Sequence, residues 1–348
     1  MGESEEKNNI IFWRKRTMIG ITTVLIVLLS SLIFYFTSLS SYFFLDILLE
    51  MVALIPLLLV SSYLIFNLDV KYRKVKAGYG MYVRNSLSYL YIIVPFWVMS
   101  AADILSFGRP YLTLIYMNVI LSAAIVGIAI NIRVRVWKRI SKDMSSINVV
   151  NVANDIAGRM GVKISGYRVV DWSRARIANA FQAGITHYYI FVTNFLMENL
   201  SEEEEVAIMA HEIAHAKMKH LKKTLVSVGF CTFVIGNALF YLVVYFLNYG
   251  LRIGMLFGLI ISIFVTSYLL LPVLRRRYEK EADLVAARCT SPKLLADSLL
   301  KLSKLNHTPI SVPRYWNLSH PSTSDRVGYL MEMQRKINDL QPSGTVDS

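Results

Sequence analysis

The chain alternates between long, uninterrupted apolar stretches and segments crowded with charge. Six apolar runs stand out: Met18–Thr37, Tyr42–Phe66, Leu87–Leu105, Tyr111–Ile132, Thr224–Leu247 and Leu251–Leu274. Each is close to the ~20 residues a helix needs to cross a ~30 Å hydrocarbon layer, so the pattern predicts six transmembrane helices in three hairpins. The first run follows Arg14, Lys15 and Arg16, as a signal peptide would. It is long, however, lacks a small-residue cleavage site and leads at once into the second run, so it reads as an uncleaved first helix.

A different periodicity appears after the fourth run. Ile147–Met160 is apolar at helical spacing and stops at Gly161. Residues 162–171 read as a strand, and "IANAFQAG" followed by "HYYIFVTNFL" reads as a hairpin around Gly184. Ser201 then opens a helix, with Glu204 at the capping-box position and an acidic first turn. No Pro or Gly follows until Gly229, so this helix is expected to run on into the fifth apolar run. Beyond the sixth run the pattern predicts a helix with a possible kink at Pro272, a second beginning at Ser291-Pro292, and a last one near Arg326–Ile337. The resulting organisation is an N-terminal segment (1–17), four membrane helices (18–132), a soluble part (133–223), a membrane hairpin (224–274), a second soluble part (275–338) and a disordered tail (339–348).

Composition agrees with the pattern: 55% of the chain is hydrophobic and only 18% charged, against about 45–50% and 25% in soluble domains. The net charge of +13 is gathered at one set of run ends. Arg14–Arg16, then Lys71, Arg73, Lys74, Lys76 and Arg84, then Arg133, Arg135, Lys138, Arg139 and Lys142 lie on one side, and only Arg109 and Arg252 on the other. Short basic loops stay in the cytoplasm, which places both termini and the soluble parts there, in a multi-pass protein of the cell membrane. Anionic lipid accounts for the basic charge; no basic stretch carries the aromatic interleaving of a nucleic-acid module. Cys231 and Cys289, one in a run and one outside, predict no mutual disulfide.

The chemistry lies in "AHEIAHAKMKH", residues 210–220. His211 and His215 stand four apart, on one helix face, from which both rings reach one tetrahedral metal. Glu212 is rotated off that line and suits a general base acting on a water at the metal. The chance of this spacing among six histidines is roughly 0.004, and the neighbours Ala210, Ile213 and Ala214 are apolar where a solvated helix face would be charged. A third ligand is needed. "YEKEAD" offers Glu279, with Asp283 one turn on to hydrogen-bond a ligating histidine; Glu281 faces another way. Two imidazoles and a carboxylate suit one zinc ion per chain.

Four ordered motifs, "NAF", "HEIAH", "EKEAD" and "HPSTSDR", together resemble the membrane zinc metalloproteases of the HtpX and type I CAAX prenyl protease superfamily, over roughly 145–340. The resemblance implies a mainly α membrane protein of about six transmembrane helices with a cytoplasmic α+β zinc metallopeptidase (gluzincin-like) domain. It implies zinc ligation by His211, His215 and Glu279, catalysis by Glu212, and Asp283 behind the ligands. It also implies that Asn179 holds substrate backbone and that His320 and Arg326 sit near the cleft. For His320 an oxyanion role and a structural loop role stand level, whereas Arg326 suits a buried salt-bridge anchor better than a catalyst. HtpX-like enzymes have two spans before the protease domain; this chain has four predicted.

The expected activity is a zinc-dependent endopeptidase that cuts misfolded or damaged membrane proteins at the cytoplasmic face. His215 lies nine residues before the fifth run and Glu279 five after the sixth, roughly 14 Å and 8 Å along a helix, so the zinc hangs just below the membrane. The partners expected are membrane-protein or unfolded polypeptide substrates and membrane lipids, with no nucleic acid. The alternatives are a CAAX-type processing protease of lipidated substrates and a non-catalytic adaptor; the second predicts a lost ligand or base, and none is lost.

Overall fold

The computed structural model describes residues 3–37, 43–87, 131–242, 261, 265–311 and 321–340. Of the predicted runs, Leu87–Leu105 and Tyr111–Ile132 lie almost wholly outside the described residues, as does most of Leu251–Leu274. The chain divides into two compact units, Met1–Ile10 with Val136–Ser348, and Ile11–Arg135.

Helix α1 (Glu3–Thr37) carries the first predicted run and α2 (Phe43–Arg73) the second; α3 (Tyr79–Leu87) packs on α2. Within the unit Ile11–Arg135 the polar anchor is Asp69, which is buried. It accepts from the Tyr82 hydroxyl at 2.7 Å and faces Arg16 at 3.4 Å and Arg73 at 3.5 Å. Among the described residues, the segment Val52–Arg73 is long and apolar enough to cross a membrane. The count of six spans therefore remains a reading of the sequence.

The larger unit is built on a four-stranded sheet. Its strands are β1 (Ser141–Asp143), β2 (Ile164–Val170), β3 (Ala180–Ala183) and β4 (Tyr188–Thr193), in the order β1-β2-β4-β3. β2 and β4 are parallel, and the outer pairs are antiparallel. The expected hairpin is β3–β4, and Gly184 at its turn has φ +99°, where an added Cβ would lie 1.9 Å from the His187 carbonyl oxygen. Only glycine fits. β1 escaped the sequence pattern because three residues carry no measurable alternation.

Period-two alternation divides β4 between two layers. Ile190 and Val192, fully buried, enter the core shared with the helices. Phe191 points the other way, into an aromatic cluster with Phe181 stacked at 5.1 Å and with Trp137 at 6.4 Å. The helices are α4 (Ile147–Arg159), the short α5 (Asn194–Met197), α6 (Glu202–Lys217), α7 (His220–Tyr241), α8 (Leu271–Cys289), α9 (Pro292–Leu305) and α10 (Thr323–Leu340). Their caps are those the sequence announced. The reciprocal capping box of Ser201 and Glu204 opens α6, Ser291 caps α9 ahead of Pro292, and Gly161 follows α4 at φ +66°. A π-helical turn, Thr266–Leu270, runs without a break into α8, and Pro272 follows it at once, where the wider turn takes up a residue that has no N–H.

Two expectations need correction. The helix of 202–217 does not continue into the fifth run: it closes at Met218, and Lys219 takes the left-handed conformation (φ 55°, ψ 37°) before α7 begins at His220. A lysine holds that conformation without any glycine signal, so the break is invisible in the sequence. The last helix is also longer than Arg326–Ile337, starting at Thr323 and running to Leu340. Residues 341–348 of the expected tail lie outside the described residues.

Candidate metal centre

Two helices bring the centre together. α6 presents His211, Glu212 and His215, and α8 presents Glu279 and Asp283. Their approach depends on small side chains: Ala207, Ala210 and Ala214 on α6, with Ala282 and Ala286 on α8, are all fully buried in one core. Alanine pays no rotamer entropy in a helix and lets two axes come close.

Nε2 of His211 and Nε2 of His215 lie 3.1 Å apart. The Glu279 carboxylate closes the triangle, with Oε2 at 3.4 Å from His211 Nε2 and Oε1 at 3.6 Å from His215 Nε2. Ligands placed 2.0–2.1 Å from a tetrahedral ion are separated by about 3.3–3.4 Å along each edge. Each imidazole Nε2 therefore stands near that spacing from the other and from one of the two Glu279 oxygens. One donor from each of the three residues lies within 4.8 Å of the others, and their chemistry, two imidazoles and a carboxylate, fits zinc.

Behind the triangle lies a buried charge network. Nδ1 of His211 is 2.8 Å from Asp283 Oδ1. Arg326, on α10, donates to both Asp283 oxygens, at 2.8 Å from Nε and 2.6 Å from Nη2, and its Nη1 lies 3.6 Å from Glu279 Oε2. The Tyr329 hydroxyl also donates to Asp283. Asp283 is fully buried, so this carboxylate stands only because donors surround it. Burial would push its pKa up, but Arg326 and His211 outweigh that and hold it well below the usual carboxylate range. Burial likewise opposes charge on His211, yet Asp283 prevails and pushes that imidazole up to about 10. His215 is pushed down to about 3, by burial first and the His211 charge second.

Glu212 points toward the sheet. Its Oε2 accepts from the backbone N–H of Gln182, at 2.9 Å, on the edge strand β3. That N–H faces away from β4, so the outer side of β3 and the catalytic candidate share one side. Asn179 immediately precedes β3; its backbone N–H donates to Thr193 Oγ1 at 3.0 Å and its carbonyl accepts from Thr193 N at 2.9 Å, which pins the start of the edge. Arg326 stands as the anchor of Asp283 rather than as an open donor. His320 lies outside the described residues.

Sequence reasoning missed two contributors. Tyr329 is three residues beyond Arg326, on the same helix face, and that spacing was a usable signal. His220 lies beside His215, with Nδ1 atoms 2.9 Å apart. On an unbroken helix a residue five positions along would face elsewhere, so its place follows only from the turn at Lys219.

Residues 146–334 match peptidase family M48. The chain is 28% identical over 215 residues to protease HtpX of Legionella pneumophila, covering 53% of this chain and 76% of that protein. It is 34% identical over 199 residues to protease HtpX homolog 2 of Methanosarcina mazei, covering 47% and 66%. In fold it is similar to the crystal structure of Ste24p from S. mikatae, with a TM-score of 0.65 at 17% identity over 84% of this chain and 77% of that one.

Proposed function

This chain belongs to peptidase family M48 as an HtpX-like metalloprotease, and from that premise we propose that it is a zinc-dependent endopeptidase of the cell membrane. Its substrates are misfolded or unfolded membrane polypeptides reached from the cytoplasmic side. The observation that carries the reading is the donor cluster of His211, His215 and Glu279 beside a glutamate tied to the outer strand of a sheet.

His211 and His215, through Nε2, and Glu279, through its carboxylate, would hold the zinc. When bound, the ion supplies Lewis-acid chemistry, polarising a carbonyl oxygen and acidifying water to a pKa of about 7. Glu212 accepts a proton from the attacking water and returns it to the departing amine nitrogen, a role worth about 10²–10⁴ in rate. The β3 edge takes an extended substrate as one more strand, and Asn179 sets where that strand begins. Asp283 orients His211, and Arg326 keeps Asp283 ionised. The apolar runs and one-sided basic loops support a multi-pass membrane protein with this centre at the cytoplasmic surface. Membrane polypeptides are then the substrates at hand, and anionic lipids the neighbours of the basic loops.

The test compares wild type and Glu212→Gln, purified in detergent, on casein with and without a zinc chelator. Cleavage by wild type alone, abolished by the chelator and by a variant that still holds zinc, is the expected result. Equal cleavage by wild type and Glu212→Gln would assign the activity to a contaminant and refute the reading.

A further inference from the structure

The two histidines of the triangle are supported differently. His211 has a carboxylate directly behind it, whereas the outer nitrogen of His215 faces a third histidine. His220 is buried, and its Nδ1 is 2.9 Å from Nδ1 of His215. Its other nitrogen, Nε2, lies 3.3 Å from Glu281 Oε2, and Arg277 Nε donates to Glu281 Oε1 at 2.8 Å. The Tyr278 ring lies flat against His220, centroids 4.4 Å apart and planes at 11°, so the imidazole cannot swing away from this line.

This placement is built by the backbone. A residue five positions along a continuous helix is turned about 140° from its predecessor, which would aim His220 away from His215. Lys219 in the left-handed region breaks the helix and returns His220 to the centre. That conformation is unfavourable for a residue with a Cβ, and the turn lets His220 reach His215.

The proton positions follow from ligation. A histidine bound through Nε2 keeps its proton on Nδ1. His215 Nδ1–H therefore donates, His220 Nδ1 must accept, and the His220 proton sits on Nε2, directed at Glu281. The direction of each bond is then set: His215 to His220, His220 to Glu281, Arg277 to Glu281.

We infer that His220 is a positioning residue for the metal centre: held by Glu281 and Tyr278, its neutral imidazole fixes the ring orientation and tautomer of His215, as Asp283 does directly for His211. The inference rests on the zinc reading above. Outer partners of ligating histidines are typically worth 10–100-fold in metal affinity, which sets the effect to be measured.

The experiment exploits the atoms of the substitute side chains. In His220→Asn, Oδ1 stands near the position of the imidazole Nδ1 and can accept from His215. In His220→Gln, the polar end reaches toward Glu281 and leaves His215 without its acceptor. Zinc affinity of the full-length protein in detergent is measured by chelator competition, alongside the visible spectrum of the cobalt(II)-loaded form. The expected result is a 10–100-fold weaker zinc in His220→Gln, a loss well under tenfold in His220→Asn, and a cobalt spectrum altered only in the former. Equal behaviour of the two variants, whether both wild-type or both weakened, overturns the inference and leaves His220 a packing residue against Tyr278. Should neither fold, Glu281→Leu decides, because Glu281 is partly exposed: weakened zinc supports the relay, and unchanged zinc overturns it. A wild type that holds no zinc overturns the metal reading and this inference together, whereas zinc-loaded wild type with indifferent variants overturns the inference alone.

Discussion

Replacing Asp283 by asparagine tests the network behind the metal centre, because the usual isosteric argument fails there. Every group aimed at the two Asp283 oxygens is a donor or stands in a donor's place: Arg326 Nε and Nη2 at 2.8 and 2.6 Å, the Tyr329 hydroxyl, and His211 Nδ1 at 2.8 Å. An asparagine amide has one acceptor and one NH₂ group, so in either flip the NH₂ meets an N–H of Arg326. The guanidinium, only 12% exposed, would be left buried against half a partner. Breaking such a pair from one side typically costs about 3–5 kcal/mol. For a folded unit of this size, at about 2–4 °C per kcal/mol, that lowers the melting temperature by roughly 6–20 °C. Loss of the His211 partner should also weaken zinc about 10–100-fold. Thermal melts followed by circular dichroism and chelator competition at neutral pH read the two effects separately. The double variant Asp283→Asn with Arg326→Met removes the stranded charge and should recover part of the stability while leaving zinc weak. An Asp283→Asn protein that melts within about 2 °C of wild type and binds zinc normally would refute the reasoning. The pH dependence follows with its sign. A carboxyl held below its ordinary pKa of 3.8 contributes stability that is present above that value and lost as pH falls through the lower folded one.

Other outcomes follow from single sites. Glu205 is buried, and burial, then Glu202, push its pKa from 4.5 up to about 7. A raised carboxyl stabilises the fold below 4.5 and progressively destabilises it up to about 7, by about 3 kcal/mol in all. Glu205→Gln should therefore stabilise the protein at pH 8 and leave it unchanged at pH 4; equal melts at pH 8 would count against this. Gly184→Ala places a methyl group against the His187 carbonyl at φ +99°. It should cost more than the ~1 kcal/mol of an ordinary glycine replacement and blunt cleavage through the β3 edge, read as a lower melting temperature together with a slower casein assay. Lys219→Gly removes the left-handed penalty and should leave the melt unchanged or raise stability by up to about 1 kcal/mol with zinc affinity unaltered; a destabilised variant would show that the lysine side chain itself holds the turn.

The sequence by itself determined whatever depends on local spacing. His211, Glu212 and His215 share a helical turn, so their relation was legible as four residues on a 3.6-residue period. Ser201 with Glu204, Ser291 with Pro292, and Gly184 announced their caps and turn because each acts within a few residues of itself. The long apolar runs followed from composition alone. Glu279 and Asp283 were legible as a pair on one face, but their meeting with the histidines is a contact between helices more than sixty residues apart. That contact depends on the alanine seam between α6 and α8, which pattern reading sees only as apolar. Tertiary structure alone decided that Arg326 and Tyr329 converge on Asp283, that Glu212 leans on the β3 edge, and that His220 turns back onto His215. The last depends on one lysine in a left-handed conformation, a backbone choice that no residue type announces and that only surrounding packing can hold.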